Sequence, residues 1–366
     1  MKQQIKKSKG KVFVGMSGGV DSSVSAALLQ REGYEVIGVF MKVWQPDFLP
    51  CTWREERLDA MRVAAHLGIP LLTWDFEKEY KEGVVDYMIH EYRRGRTPNP
   101  DVMCNREVKF GAFSRRAIQE GADFVATGHY ARVVKSQQSI VNSKYKLLKG
   151  VDSTKDQAYF LWTLKQEQLS KTLFPIGKYK KTEVRVLAKK FNLPVAEKKD
   201  SQGLCFMGKL DMKDFLAHYI KEKEGSVLNE AGEIIGTHRG VFFYTLGERH
   251  GFSVLQKKAE DMPYYVVAKD FKNNTLTVTH QEKRVSVSAM QEAQVSEISF
   301  CKGIVPDASH FYTAQVRYHG AFYQCKIVLV SEGCSSVHFE KPVTVDAGQS
   351  VVFYHEDECL GGGIVA

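Results

Sequence analysis

Three stretches of this chain carry residue types that do chemistry. The first is Gly15-Met16-Ser17-Gly18-Gly19-Val20-Asp21-Ser22-Ser23, between the apolar run Val12-Phe13-Val14 and the helix-forming run Val24 to Gln30. A strand–glycine loop–helix junction offers free N–H groups and the positive end of a helix dipole to an anion. Gly18 and Gly19 permit positive φ and close approach of backbone to phosphate. Ser17 and Ser22 add hydroxyl donors, Ser22 or Ser23 can cap the helix, and Asp21 suits a magnesium ion or the charge of an attacking partner. The second stretch is Arg93-Arg94-Gly95-Arg96-Thr97-Pro98-Asn99-Pro100-Asp101-Val102-Met103-Cys104-Asn105. Its prolines predict a rigid loop, and its three arginines offer phosphate contacts. Asp101 can orient or deprotonate a polar group, or is a surface turn residue. Cys104 lies just before a predicted helix, where a dipole would lower a thiol pKa. The third stretch is Asp200-Ser201-Gln202-Gly203-Leu204-Cys205-Phe206. Each cysteine alone is more often a small core hydrophobe. Two thiols flanking a phosphate-activating site suggest sulfur transfer, one carrying a persulfide and the other resolving it.

These groups need a scaffold. Glu35 to Val43, Ile69 to Trp74 and Asp123 to Thr127 have strand character. Arg54 to Leu67, Tyr80 to Arg94 and Glu107 to Gln119 have helical spacing. The alternation predicts an α/β fold, a doubly wound parallel sheet. Ligands sit at the carboxyl ends of such strands, where the glycine loop, Phe40-Met41 and Gly128 all fall. Met41 is an apolar wall for adenine or a core residue, and both stay open. Ser136 to Lys146 predicts a hairpin; Gln166 to Leu173, Lys180 to Phe191 and Asp211 to Glu222 predict helices. After Gly225 the texture turns to short β-prone runs: Phe242 to Thr245, Tyr264 to Ala268 and Thr275 to Thr279, with Asn273-Asn274 as a turn. Further runs at Phe311 to Tyr318, Phe322 to Val330, Ser336 to Phe339 and Val351 to Tyr354 predict a second small barrel. The expected organisation is a catalytic α/β domain over 1–209, a central β-rich domain over 210–281 and a C-terminal β-barrel over 282–366.

The 366 residues are enough for two or three domains. No apolar run reaches the ~18 residues of a membrane span. The first eleven residues carry five lysines and no apolar segment, which argues against a signal peptide and for a cytoplasmic protein. Residues 282–366 hold six Lys/Arg against ten Asp/Glu, so the net +8 of the chain comes from +12 in the first 281 residues. A polyanion would dock mainly there. The seven cysteines, at 51, 104, 205, 301, 325, 334 and 359, include no C-x-x-C, which argues against a disulfide framework and a zinc ribbon.

The glycine loop has neither the lysine of the common phosphate loop nor the G-x-G-x-x-G spacing. It resembles the S-G-G-x-D-S loop of the PP-loop ATP pyrophosphatases, which cut ATP between the α and β phosphates and adenylate an oxygen. Nearly end to end, the chain resembles the tRNA-specific 2-thiouridylases. The motifs are the Gly15-to-Ser22 loop, Phe40-Met41-Lys42, Thr97-to-Asp101 with Cys104-Asn105, Thr127-to-Arg132, Lys155-Asp156-Gln157, Asp200-to-Phe206, Gly247-to-Gly251 and Leu360-to-Gly363. Two departures, Glu248 for a common Gln and the missing proline before Gly348, lie away from the chemistry.

By that resemblance, Gly15, Met16, Ser17, Gly18, Gly19, Val20, Asp21, Ser22, Met41 and Gly128 bind ATP, with Mg2+. Asn99, Pro100 and Asp101 meet the target base, Asp101 as acid, base or positioning group. Cys104 is the nucleophile and Cys205 the persulfide carrier, and the two close a transient disulfide. Lys155, Asp156, Gln157, Arg317 and Tyr318 contact tRNA; the residues by themselves are equally a first helical turn and a strand-end pair. The implied activity is ATP-dependent 2-thiolation of the wobble uridine of tRNA. With no rhodanese-like stretch, sulfur is expected from a separate carrier protein or cysteine desulfurase. Three alternatives stand beside it. Another PP-loop ligase would survive Cys104→Ser and Cys205→Ser. An RNA-binding protein regulated by ATP would bind tRNA without releasing AMP. An iron–sulfur cluster on Cys104, Cys205 and Asp101 would need unusually wide cysteine spacing.

Overall fold

The computed structural model describes residues 8–49, 52–136, 145–200, 205–206, 211–255, 262–280, 289–331 and 334–366. Cys51 and Ser201, Gln202, Gly203 and Leu204 lie outside them. The alternation in Val12-Phe13-Val14 decides the first sheet. Val12 and Val14 face one apolar cluster and Phe13 faces another, so β1 (Lys11–Gly15) is buried on both sides. It lies between β2 (Glu35–Lys42) and β4 (Phe124–Ala126), with β3 (Leu71–Asp75) outside β2 and β7 (Thr172–Leu173) outside β4. Every pairing is parallel. Helices α1 (Val20–Glu32), α2 (Trp53–Leu67) and Lys181–Lys190 cover one face through Val24, Val63 and Val184. Helices over 77–93 and 100–119 cover the other through Tyr80, Met88, Val108 and Phe113. This is the doubly wound arrangement expected.

The second chemical stretch differs from the expectation. Its rigid loop ends at Asn99, because Pro100 occupies the first helical position and needs no N–H partner there. The Asn99 side chain accepts the Val102 N–H at 3.2 Å and caps the helix. The segments Pro100–Met103, Cys104–Phe113 and Ser114–Gln119 then run on continuously, the middle one wound in wide π turns. Asp101 and Cys104 are therefore helical residues.

Of the hairpin expected over 136–146, residues 137–144 lie outside the described ones; on either side β5 (Ala131–Lys135) and β6 (Tyr145–Lys149) pair antiparallel. The pair leaves its own domain: β6 pairs with the last strand of the chain. The central region is a five-stranded sheet of β8 (Gly225–Leu228), β9 (Ile234–His238), β10 (Phe252–Val254), β11 (Tyr264–Asp270) and β12 (Thr275–His280). The run expected as a strand at Phe242 to Thr245 instead begins inside a short 3-10 turn, Val241–Phe243, entered through Gly240 at φ +142. The last region is a six-stranded barrel of β13 (Met290–Phe300), β14 (Tyr312–Gln315), β15 (Phe322–Ser331), β16 (Cys334–Val343), β17 (Ser350–His355) and β18 (Glu358–Val365). Pairing of β13 with β18 closes it. Strand β18 contains Gly361-Gly362-Gly363, which hides it from a propensity reading. A Cβ on Gly363 would lie 2.3 Å from Val295 Cγ1, and one on Gly362 3.0 Å from Trp162, so the seam closes only over glycine. No helix among the described residues is long and apolar enough to cross a membrane.

Candidate active site

The glycine loop is shaped by contacts to its neighbours. Met16 N–H donates to Val39 O at 2.8 Å, carrying the β1–β2 ladder into the loop. Gly18 has φ +71, and a Cβ there would stand 2.3 Å from Glu56 O of α2. Gly19, in extended conformation, is the cap residue of α1, a place the sequence offered to Ser22 or Ser23. Those serines donate instead to Gly19 O, at 3.2 and 2.7 Å, and Ser17 N–H donates to Ser22 Oγ at 3.3 Å. Gly128 presses on the loop from β4, where a Cβ would be 2.7 Å from Ser22 N. Met41 is buried, and its methyl group lies 2.8 Å from where a Gly15 Cβ would be. It forms the apolar floor beneath the loop.

Asp21 is already engaged. Both its oxygens accept from Lys181 Nζ at 2.8 Å, and Oδ1 also accepts from Tyr130 Oη at 2.8 Å. Lys181 in turn bridges to Asp200 at 2.9 Å, which also binds Arg185 and, at 3.4 Å, Lys155. Burial raises the Asp200 carboxyl, but Lys181 and Arg185 outweigh it and hold it below the usual carboxylate range. Lys198 reaches Gly18 O at 3.2 Å and Asp59 at 2.8 Å. Four cations thus stand around an anion-binding loop.

The two thiols expected to cooperate meet. Cys104 Sγ–H donates to Cys205 Sγ across 3.5 Å, and neither is in a disulfide. Asp101 Oδ1 accepts the Cys205 N–H at 3.1 Å, and Tyr80 Oη donates to Cys205 O at 2.7 Å. Lys109, on the same helix as Cys104, faces the Cys205 side chain. Its Nζ lies 3.5 Å from His129 Nε2 and 5.5 Å from the centre of the Phe206 ring. His129 Nδ1 is 2.7 Å from Thr127 Oγ1. The thiol corner therefore joins the glycine loop through Lys109, His129 and Gly128.

Burial and hydrogen bonding split the two thiols. Burial pushes the Cys104 thiol well up, and its bond to Cys205 adds to this. Cys205 is held below an ordinary thiol: the Cys104 S–H donates to it and Lys109 faces it, against burial. The expectation that a helix end activates Cys104 is thus corrected: Cys104 lies inside the helix and is pushed up, and Cys205 is the thiol held low. Burial raises Asp101, opposed by the Cys205 N–H and Lys109. Burial, then Lys109, depresses His129 well below its usual value, so its ring is neutral.

The remaining expected residues divide. Asn99 and Pro100 start the Cys104 helix, and Asn105 Nδ2 donates to Phe160 O at 3.2 Å. Tyr318 packs on Phe160 with ring centres 4.4 Å apart, and Arg317 donates to Leu246 O of the central domain. Arg317 and Tyr318 therefore stand beside the Asn99-to-Asp101 turn, although they are over 200 residues away in sequence. Asp156 Oδ1 accepts from Gly150 N and Ala158 N at 2.8 and 3.1 Å, and Gln157 Oε1 accepts from Tyr130 N at 2.9 Å. Those two side chains hold the turn, leaving Lys155 the more outward member. The arginine cluster is also largely structural. Arg96 pairs with Glu91 at 2.6 Å and donates to Val365 O, while Arg93 donates to Tyr219 O.

Three family models match in sequence: "tRNA methyl transferase HUP domain" over residues 10–209, "tRNA methyl transferase PRC-barrel domain" over 213–280 and "Aminomethyltransferase beta-barrel domain" over 290–365. A tRNA-specific 2-thiouridylase MnmA of Enterococcus faecalis is 45% identical over 365 residues, covering 98% of this chain and 96% of that one. A tRNA-specific 2-thiouridylase MnmA of Listeria monocytogenes is 46% identical over 361 residues, covering 97% and 94%. The chain belongs to the tRNA-specific 2-thiouridylase family. Among solved structures, the U34-tRNA thiolase NcsA from Methanococcus maripaludis is similar over 59% of this chain and 66% of that one, at 22% identity and TM-score 0.36, too distant to carry function across.

For a 2-thiouridylase, the residues that sequence reasoning passed over are the cations. Lys109, Lys181 and Lys198 sit in helices or loops whose lysines read as solvated. The available signal for Lys109 was its place in sequence between two apolar residues, Val108 and Phe110.

Proposed function

We propose that this protein replaces the C2 oxygen of the wobble uridine of tRNA with sulfur, at the expense of ATP. One observation carries the reading: two free thiols 3.5 Å apart are connected through Lys109 and His129 to a glycine loop ringed by cations. ATP lays its β and γ phosphates in the loop, near Lys181 and Lys198, with adenine toward Met41. Magnesium would come with the ATP phosphates and help neutralise their charge; Asp21, the carboxylate of the loop, is engaged by Lys181 and Tyr130. The uridine leaves its loop stack, as base chemistry in RNA requires, and lies beside Asn99, Pro100 and Asp101. Lys155, Arg317 and Tyr318 hold neighbouring nucleotides.

The uridine O2 attacks the α phosphorus, and pyrophosphate leaves. The Cys205 thiolate attacks the outer sulfur of a persulfide on a carrier protein or cysteine desulfurase, which departs as a thiolate. The outer sulfur of the Cys205 persulfide attacks C2, and AMP leaves. Cys104 then attacks the inner sulfur of the adduct. Its proton is lost, 2-thiouridine is released, and a Cys104–Cys205 disulfide remains for an external dithiol to reduce. The split between the thiols fits this order: Cys205, the thiolate, loads first, and Cys104 stays protonated until the last step. Asp101, bonded to the Cys205 N–H, positions the carrier. The work is cytoplasmic, where tRNA and ATP are found.

The test is mass spectrometry of tRNA nucleosides after incubation with ATP, magnesium, a persulfide donor and the protein. The expected product is 2-thiouridine at the wobble position, absent with Cys104→Ser and with Cys205→Ser. Product that persists in both variants refutes the cysteine mechanism, and AMP without 2-thiouridine points to another adenylating enzyme.

A further inference from the structure

An ammonium buried without a counter-charge is costly, and it ordinarily gives up its proton. Lys109 is half-buried between the helix over 100–119 and the loop through His129. Among the described residues no Asp or Glu oxygen pairs with its Nζ. Asp101, the carboxylate facing this corner, turns Oδ1 to the Cys205 N–H instead. The groups around Lys109 are Cys205 and Cys104, the Phe206 ring, Asp101 and the neutral His129, with Tyr80 behind the Cys205 carbonyl. Burial pulls the Lys109 pKa down, yet the facing Cys205 sulfur, with Cys104 and Asp101 beside it, outweighs burial and keeps the ammonium charged. The negative partner of this cation is sulfur.

Local geometry is built for that partnership. In an α-helix of 3.6 residues per turn, residues five apart diverge by about 140°, and Lys109 would point away from Cys104. The π turns of Cys104–Phe113 take more residues per turn and bring position 109 back toward the side of 104. His129 then orients the ammonium. With Nδ1 protonated and donating to Thr127 Oγ1, its Nε2 faces Lys109 Nζ as an acceptor. Phe206 presents a ring face to the same ammonium.

We propose that Lys109 is a catalytic residue, the counter-ion of the sulfur anion carried on Cys205, first as thiolate and then as persulfide. This deepens the thiolation reading and rests on it for the second role. Charge is conserved across loading. The Cys205 thiolate bonds to the outer sulfur of the donor persulfide, and the donor S–S bond breaks. The donor leaves as a thiolate, and the new persulfide loses its proton to give one negative charge on its outer sulfur. Lys109 thus faces a single negative charge before and after, and it holds the outer sulfur as the anion that C2 requires.

The experiment is iodoacetamide alkylation of Cys205 in the full-length protein from pH 5 to 10, resolved by peptide mass spectrometry, with no ATP or tRNA present. For the wild type the expected midpoint lies below the value of about 8.5 for a free thiol. Lys109→Met should raise the midpoint by about one unit, slowing alkylation at pH 7 by about tenfold, while Lys109→Arg keeps most of the effect. A wild-type midpoint at or above that of a free thiol overturns the proposal without any variant, which covers the case that Lys109→Met does not fold. An unchanged midpoint in a Lys109→Met protein of unaltered melting temperature also overturns it. The two readings fail separately. A protein that makes no 2-thiouridine but shows the Lys109-dependent midpoint loses thiolation and keeps the thiolate counter-ion. A thiolating protein with a Lys109-independent midpoint loses only the counter-ion.

Discussion

Asp101 and Cys205 carry opposite pH signatures. Burial raises the Asp101 carboxyl, so the folded state holds this proton more tightly than the unfolded chain. Its contribution to stability is full below the usual carboxylate value and is lost as pH rises through the raised one. At neutral pH Asp101 therefore works against the fold. Asp101→Asn keeps an oxygen for the Cys205 N–H and should hold or raise the melting temperature at pH 7, with the gain fading on acidification, while 2-thiouridine formation falls. Calorimetry at several pH values and nucleoside analysis check the two halves; a lower melting temperature at pH 7 would contradict the argument. Cys205 is depressed, chiefly by the Cys104 S–H donor, so its contribution is present above the ordinary thiol value and lost as pH falls through the depressed one. Cys104→Ala removes that donor. The pH midpoint of persulfide uptake on Cys205 should then move upward, measured by intact-mass spectrometry after exposure to a donor.

At the scale of elements, two joints fix the reacting groups. The Asn99 cap sets where the Cys104 helix begins, through its 3.2 Å bond to Val102 N–H. Asn99→Ala should cost about 1 kcal/mol of stability, read from denaturant midpoints, and should lower thiolation by misplacing Asp101 and Cys104 together. Gly128 sets how closely the end of β4 approaches the first turn of α1. In Gly128→Ala the added carbon would meet Ser22 N at 2.7 Å and Asp21 C at 2.8 Å, both backbone atoms of the loop. Calorimetric titration with ATP should show affinity reduced by about tenfold or more, equivalent to about 1.4 kcal/mol, with the Cys104–Cys205 corner still reactive.

At the scale of the whole molecule, one buried carboxylate ties all three regions together. Asp346 of the barrel accepts from Lys269 Nζ of the central sheet at 2.6 Å, from Leu246 N at 3.0 Å and from Thr97 Oγ1 at 3.1 Å. Lys269 also donates to Gly95 O at 3.1 Å, and Thr97 N–H donates to Ala347 O at 2.7 Å. The approach to the Asn99 turn is thus pinned by both β domains. Lys269 and Asp346 are both almost fully buried, so Lys269→Met strands a charge and should cost about 3–5 kcal/mol, seen as a lower melting temperature. Lys269→Met combined with Asp346→Leu should recover part of that loss; a double variant no better than the single one would contradict the pairing.

The sequence by itself determined the local chemistry. Val12-Phe13-Val14 followed by Gly18 and Gly19 specified a parallel strand, a loop and a helix start, because β-branching and positive φ are local properties. It also marked Cys104 and Cys205 as the thiols to watch. Tertiary structure decided their states. Which cysteine is the more acidic depends on burial, on a 3.5 Å contact across 101 residues and on Lys109, none of which has a local signature. The same holds for Asp21, whose carboxylate meets Lys181 from a helix 160 residues away, and for Arg93 and Arg96, whose partners are the carbonyls of Tyr219 and Val365. The strand over Gly361 to Gly363 was illegible for the same reason: glycine disfavours a strand locally, and only the closing of the barrel against Val295 and Trp162 requires it there.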